Sequence, residues 1–189
     1  DLRRNGGGSL TEAINLTGLF IDEGPVVQVK DSNDRVQKYD DPEQGMAWDG
    51  PLVVVISKFS ASASEILAGA IQDYGRGIVI GDQATHGKGT VQSLLDLGSQ
   101  LNRAWNPPKW GALKITMQQF YRPSGDSTQK RGVVADIELP SLTSHLDVSE
   151  SDLDYPLPFD KVASLEYKRV GMLNEVIRKQ LLAASQRRC

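Results

Sequence analysis

Leu52-Val53-Val54-Val55-Ile56 leads through Ser57-Lys58-Phe59 into Ser60-Ala61-Ser62-Ala63-Ser64-Glu65, and Ile78-Val79-Ile80 follows after Gly75. The two short apolar runs are rich in β-branched residues, as expected of strands covered on both faces. Between them, Ile66, Leu67, Ala70 and Ile71 give an apolar helical face, and Gly75 stops the helix. Strand, helix and strand within about 30 residues make a βαβ unit whose right-handed crossover sets the strands parallel. The serine cluster then falls at the carboxyl end of a strand, where open α/β sheets place their sites. The predicted fold class is α/β.

Upstream of this unit, Gly6-Gly7-Gly8 precedes Ser9-Leu10-Thr11-Glu12, whose Ser9 and Glu12 fit a capping box. Apolar residues at helical spacing then predict a helix over 9–20. Segments 26–30 and 35–39 flank a polar turn and read as a hairpin, followed by a polar loop over 40–50. Downstream, 88–95 and 113–121 alternate as strands do, with a Pro107-Pro108 loop between them, and 132–139 reads as a third strand ended by Pro140. Residues 1–140 are the expected core. The polar, acidic, proline-containing stretch 141–158 is the expected linker, and 159–189 a helical C-terminal segment broken at Gly171. The opening Asp1-Leu2-Arg3 runs directly into a glycine turn, which suggests a piece of a longer chain.

At 189 residues, 39% hydrophobic and 24% charged, the chain has the composition of an ordinary globular protein able to bury a core. A formal net charge of -3, with basic residues scattered until Arg187-Arg188, offers no footprint for nucleic acid. The one cysteine, Cys189, closes no internal disulfide. No apolar run reaches the roughly 18 residues of a membrane span. There is no internal repeat, and no His/Cys/Asp/Glu grouping has metal-ligand spacing, so neither a metal nor another cofactor is expected.

A serine at a helix N-terminus can become a nucleophile when a base takes its proton, and the next backbone N–H can then hold an oxyanion. Ser62 with the N–H of Ala63 fits that arrangement. Ser62 and Glu65 also fit a plain capping box, and Ser64 could cap instead. Lys88 lies between Gly87 and Gly89. An enclosed lysine loses some of its preference for the charged form and can act as a base, whereas a solvated one stays protonated. A phosphate-cradling loop is the competing reading, but position 82 is aspartate and Gly89 follows Lys88, so the P-loop pattern is missing. In an extended 88–92 segment, Lys88, Thr90 and Gln92 share a face, and Gln92 either orients the amine or is merely solvated. His86 is the rival base.

In sequence order, these motifs resemble the tail-specific, or C-terminal processing, serine proteases. The likeness rests on Asp1 to Gly8, Leu10-Thr11-Glu12-Ala13, Ser60 to Ile66, Gln72-Asp73-Tyr74-Gly75-Arg76, Gly87 to Gln92, Ser127-Thr128-Gln129 and Gly132-Val133. It covers about residues 1 to 140. The resemblance implies a sheet-and-helix core related to Clp protease and crotonase, with a PDZ domain upstream. It implies Ser62 as nucleophile, Lys88 as general base, Gln92 as the residue orienting the base, and the N–H groups of Gly8 and Ala63 as the oxyanion hole. It also implies protein or peptide substrates held by their C-terminal tails, a lipoprotein or adaptor partner, and a place in the periplasm or on the outer side of the inner membrane. Self-association through open strand edges is expected of a fragment. Two departures stand out: the Gly81 to Gly87 loop is one residue longer than the family's, and Ala135 replaces a common proline. The rival functions are crotonase-like chemistry on an acyl thioester and peptide binding without catalysis.

Overall fold

The computed structural model describes residues 1–101 and 108–187. Its elements run α1 (Leu10–Gly18), β1 (Pro25–Lys30), β2 (Val36–Asp40), β3 (Val53–Ile56), α2 (Ala63–Asp73), β4 (Ile78–Gly81), β5 (Thr90–Asp96), α3 (Leu97–Leu101), β6 (Ala112–Tyr121), β7 (Ile137–Glu138) and α4 (Glu175–Gln186). Pro107, Arg188 and Cys189 lie outside the described residues.

The βαβ unit is present: β3 and β4 pair in parallel, Val53 opposite Ile78 through Ile56 opposite Gly81. With β7 they form a three-stranded sheet in the order β3-β4-β7, while the hairpin and later strands form an antiparallel sheet in the order β2-β1-β6-β5. Between these sheets lies α2, buried continuously from Ser64 to Ile71. Ile66, Ala70 and Tyr74 pack with Ala13 and Ile14 of α1, the valines of β1 and Phe120. Leu67, Ala68 and Ile71 pack with Val54, Ile56 and Val79 on the other side. A helix apolar on most of its circumference is a central one, which accounts for the small residues Ala68, Gly69 and Ala70 within it. Its end follows a Schellman pattern: the N–H of Arg76 bonds the Ile71 carbonyl at 3.0 Å, that of Gly75 bonds the Gln72 carbonyl at 3.0 Å, and Gly75 has a φ of 60°.

Two expectations change. The strand expected over 132–139 is reduced to the two residues of β7, because Val133 turns to the loop before Lys88. Its N–H bonds Thr85 Oγ1 at 2.7 Å and its carbonyl accepts the Thr85 N–H at 3.1 Å. The helical pattern expected over 159–189 appears only in α4. From 160 to 173 the backbone is drawn along the core instead, with Val162 N–H on Gly125 O (2.9 Å), Leu165 N–H on Pro123 O (2.9 Å), Val170 N–H on Tyr74 O (2.9 Å) and Leu173 N–H on Gly75 O (3.1 Å). Helical hydrogen bonding would forfeit these contacts. The 141–158 stretch also touches the core, through Thr143 on Asp82 and Glu150 on Gln129.

Candidate active site

The chain turns sharply from the carboxyl end of β3 into α2. Ser57 and Ser60 shape that turn: the Ser57 N–H bonds Ser60 Oγ at 3.0 Å, and Ser60 Oγ donates to the Leu2 carbonyl at 2.7 Å. Ser64 Oγ donates to the Asn5 carbonyl at 2.9 Å. Both flanking hydroxyls are thus committed to holding the N-terminal segment. Ser62, half-buried at the helix N-cap, has φ 55° and ψ -114°, and its hydroxyl makes no cap hydrogen bond. A non-glycine residue in that region is strained, and such strain is characteristic of a serine presented on a strand-to-helix elbow.

Of the capping box foreseen for Ser62 and Glu65 only the Glu65 arm is hydrogen-bonded, since the Glu65 N–H goes to the Ser62 carbonyl at 2.8 Å and not to the hydroxyl, and Glu65 does more besides. Its carboxylate accepts the N–H of Ser62 at 2.6 Å, the hydroxyl of Thr85 at 2.6 Å, the N–H of Gly87 at 2.8 Å and the N–H of Lys88 at 3.1 Å. Ser62 and Lys88 share one oxygen, Oε2. Their backbone nitrogens are therefore within two hydrogen-bond lengths of each other, although 26 residues apart in sequence. Glu65 is fully buried, and burial pushes its carboxyl up to about 7 against the donors that favour the charged form.

Lys88 is half-buried. Burial, and then the charge of Lys114, bring its amine below the ordinary lysine value, with Glu150 and Glu65 opposing them. The loop is tied by hydrogen bonds on both sides of it. Gly87, at φ 91°, accepts the Lys130 N–H at 2.7 Å, and Gly89 donates to Gln129 Oε1 at 2.8 Å. A Cβ on Gly89 would meet Ser127 Oγ at 2.7 Å, so glycine is required there by close approach.

Gly7 packs against the Ser60 to Ala63 turn: a Cβ there would lie 2.6 Å from Ala61 O, 2.8 Å from Ala63 N and 2.9 Å from Ser62 Cβ. Gly8 follows it at the open mouth, with free space around its α-carbon. Among the described residues neither the Gly8 nor the Ala63 N–H has a hydrogen-bond acceptor. Ala63 is the first residue of α2, where no intrahelical acceptor exists and the helix dipole favours negative charge.

Gln92 is exposed on β5, next to an irregularity in the β5–β6 register between Val91 and Gln92. Among the described residues its side chain makes no hydrogen bond with Lys88. His86 bonds the Ser60 carbonyl through its backbone N–H at 2.9 Å, and its side chain lies against the C-terminal segment, its Nε2 3.5 Å from Glu150 Oε2. Among the described residues no group of three His, Cys, Asp or Glu side chains could hold a metal. The buried Glu65 and its partner Thr85 are the components that sequence reasoning missed. The only signal was Glu65 itself, three residues after Ser62.

The fold built around this central helix is shared with C-terminal processing proteases. A solved photosystem II D1 C-terminal processing protease is similar to this chain with a TM-score of 0.62 and 32% identity, over 74% of this chain and 33% of that one. The family model for peptidase family S41 matches residues 1–139, and the chain belongs to that family. It is 47% identical to a tail-specific protease of Haemophilus influenzae over 93% of this chain and 25% of that protein. It is 39% identical to a carboxy-terminal-processing protease of Bartonella bacilliformis over 81% of this chain and 34% of that protein. The chain thus spans about a quarter to a third of the length of these curated relatives.

Proposed function

We propose that this chain carries the catalytic core of a serine endopeptidase that acts on proteins recognised by their C-terminal tails. Lys88 takes the Ser62 proton, Ser62 Oγ attacks the scissile carbonyl, and the N–H groups of Gly8 and Ala63 hold the oxyanion. The protonated amine then gives its proton to the leaving nitrogen, and water hydrolyses the acyl-enzyme with Lys88 again as base. Gln92 orients the amine once substrate covers the exposed β5. The observation that supports the reading is the sharing of Glu65 Oε2 by the backbone N–H groups of Ser62 and Lys88, which brings the backbone of a strained serine near that of a partly desolvated lysine.

The core is assigned to residues 1–140, in keeping with the family match over 1–139. Tail-bearing proteins or peptides are its substrates, a lipoprotein or adaptor is its partner, and the periplasm or the outer side of the inner membrane is its place. The names of the H. influenzae and B. bacilliformis relatives support the substrate assignment. Among the described residues no helix is long and apolar enough to cross a membrane. The test is acylation of the natural full-length chain by a fluorophosphonate, with the adduct located by peptide mass spectrometry. An adduct on Ser62 that is lost in Lys88→Met is expected. An adduct on Ser60 or Ser64, or undiminished labelling of Lys88→Met, would sink the reading.

A further inference from the structure

Glu150 lies past the residues matched by the family model, in a single 3-10 turn, Glu150–Asp152, yet it is built into the loop that carries Lys88. Its backbone N–H donates to the His86 carbonyl at 2.8 Å. Its Oε1 accepts Gln129 Nε2 at 2.9 Å, and its Oε2 lies 3.5 Å from His86 Nε2 with the Glu150 side chain only 13% exposed. Gln129 also accepts the Gly89 N–H through Oε1. Glu150 therefore grips the Lys88 loop on both flanks, through His86 before the lysine and through Gln129 and Gly89 after it. Glu65 holds the same loop from beneath, through Gly87 and Lys88.

We propose that Glu150 is a positioning residue for Lys88, clamping the base loop from the C-terminal segment and setting the charge balance around the amine. The inference rests on the reading of Lys88 as the base. Three charged groups act on that amine: Glu65 from α2, Glu150 from the C-terminal segment and Lys114 from β6. The two carboxylates favour the ammonium, while burial and Lys114 favour the free amine. A lone Lys114 opposite a half-buried lysine would bias the amine toward neutrality, and Glu150 offsets that bias. The same contact makes the geometry of the base depend on correct docking of 141–158, a segment outside the matched core.

Two effects on catalysis follow. Removing the Glu150 charge disfavours the ammonium of Lys88, so the pH at which the base becomes neutral moves down. Removing its hydrogen bonds loosens the loop, so the rate on the alkaline plateau falls. A glutamate of purely structural value would change stability and plateau rate without moving the midpoint.

The test is the pH dependence of fluorophosphonate acylation in the natural full-length chain, for wild type, Glu150→Gln, Glu150→Asp, Gln129→Met and Lys88→Met. For Glu150→Gln we expect a midpoint lower by roughly half a pH unit and a plateau about tenfold lower. Glu150→Asp should keep the wild-type midpoint, because the charge remains, with a reduced plateau, because the shorter arm cannot reach both His86 and Gln129. Gln129→Met, which releases Gly89 and Glu150 from each other while leaving the carboxylate charged, should keep the wild-type midpoint with a lowered plateau, and a wild-type plateau in it overturns the clamp even if Glu150→Gln does not fold. An unmoved midpoint in the neutral variant, with Lys88→Met inactive, overturns the role of Glu150 and leaves Lys88 as the base. A Lys88→Met chain that still acylates overturns both.

Discussion

Glu65 accepts the backbone N–H of Lys88 at 3.1 Å through the oxygen that also accepts the N–H of Ser62, so one buried carboxylate fixes the spacing between the elbow and the base loop. Neither contact involves the side chains proposed to react. The carboxylate acts on backbone groups, which cannot swing away as a lysine or serine side chain can, and it does so from inside the core, where hydrogen bonds are strongest.

Replacing Glu65 by alanine strands three N–H groups and the Thr85 hydroxyl in a buried space. The expected loss of stability is on the order of 3 kcal/mol, measured by urea unfolding. Glu65→Gln keeps the volume but turns an amide NH2 toward N–H donors, so it should cost about 1–3 kcal/mol and depress acylation by Ser62 more than its stability loss accounts for. Wild-type acylation in a folded Glu65→Gln chain would show that the shared carboxylate is a cap and no more.

The three serines should separate cleanly. Ser60→Ala and Ser64→Ala remove hydrogen bonds to Leu2 and Asn5, and each should cost about 1–2 kcal/mol of stability while acylation persists. Ser62→Gly should abolish acylation and yet raise stability by about 1 kcal/mol, because glycine adopts a positive φ without strain. Chemical denaturation of the three variants beside labelling checks this, and a destabilised Ser62→Gly would argue against strain at the elbow.

The parallel strands and α2 were legible because each carries a local signal: β-branched runs, an apolar helical face, and Gly75 where the Schellman turn needs a positive φ. Ser62 and Lys88 stood out by residue type and glycine context, and the structure brings their backbone N–H groups to one carboxylate oxygen. Glu65 was legible only as a cap, since Thr85, Gly87 and Lys88 reach it through tertiary folding. Segment 160–173 has a helical pattern in which Tyr167 and Val170 face apolar neighbours, yet the same residues pack against the α1 and β1 core while the backbone bonds to Tyr74 and Gly75. Periodicity could not separate those outcomes. The exposure of Gln92 was likewise invisible, because alternation tells which residues share a strand face and not what covers that face.

A lysine base works only when neutral, so the acylation rate should rise with pH through the Lys88 midpoint and level off above it. Burial and Lys114 both lower that midpoint below the ordinary lysine value of 10.5. Lys114→Gln removes a positive charge that favours the free amine, so the profile should move to higher pH. A shift to lower pH on the same substitution, read from acylation rates across the profile, would mean that another group is titrating.

Gly7 tests the proposed oxyanion niche independently of the serine and the lysine. With φ 99° and no room for a Cβ between Ala61 O, Ala63 N and Ser62 Cβ, Gly7→Ala must push the glycine turn away from the start of α2. That movement carries the neighbouring Gly8 N–H with it, whereas Ser62, Glu65 and Lys88 stay joined through the Glu65 carboxylate. The backbone strain should cost about 1–3 kcal/mol. Loss of one aligned donor should lower turnover by about 100- to 1000-fold. Gly6→Ala is the control, since a Cβ there meets nothing within 4 Å, and it should keep nearly full activity. Turnover of an unstructured protein substrate by folded Gly7→Ala and Gly6→Ala chains gives the comparison. Equal turnover would remove the Gly7-Gly8 turn from the catalytic apparatus and leave Ala63 as the one backbone donor assigned to the oxyanion.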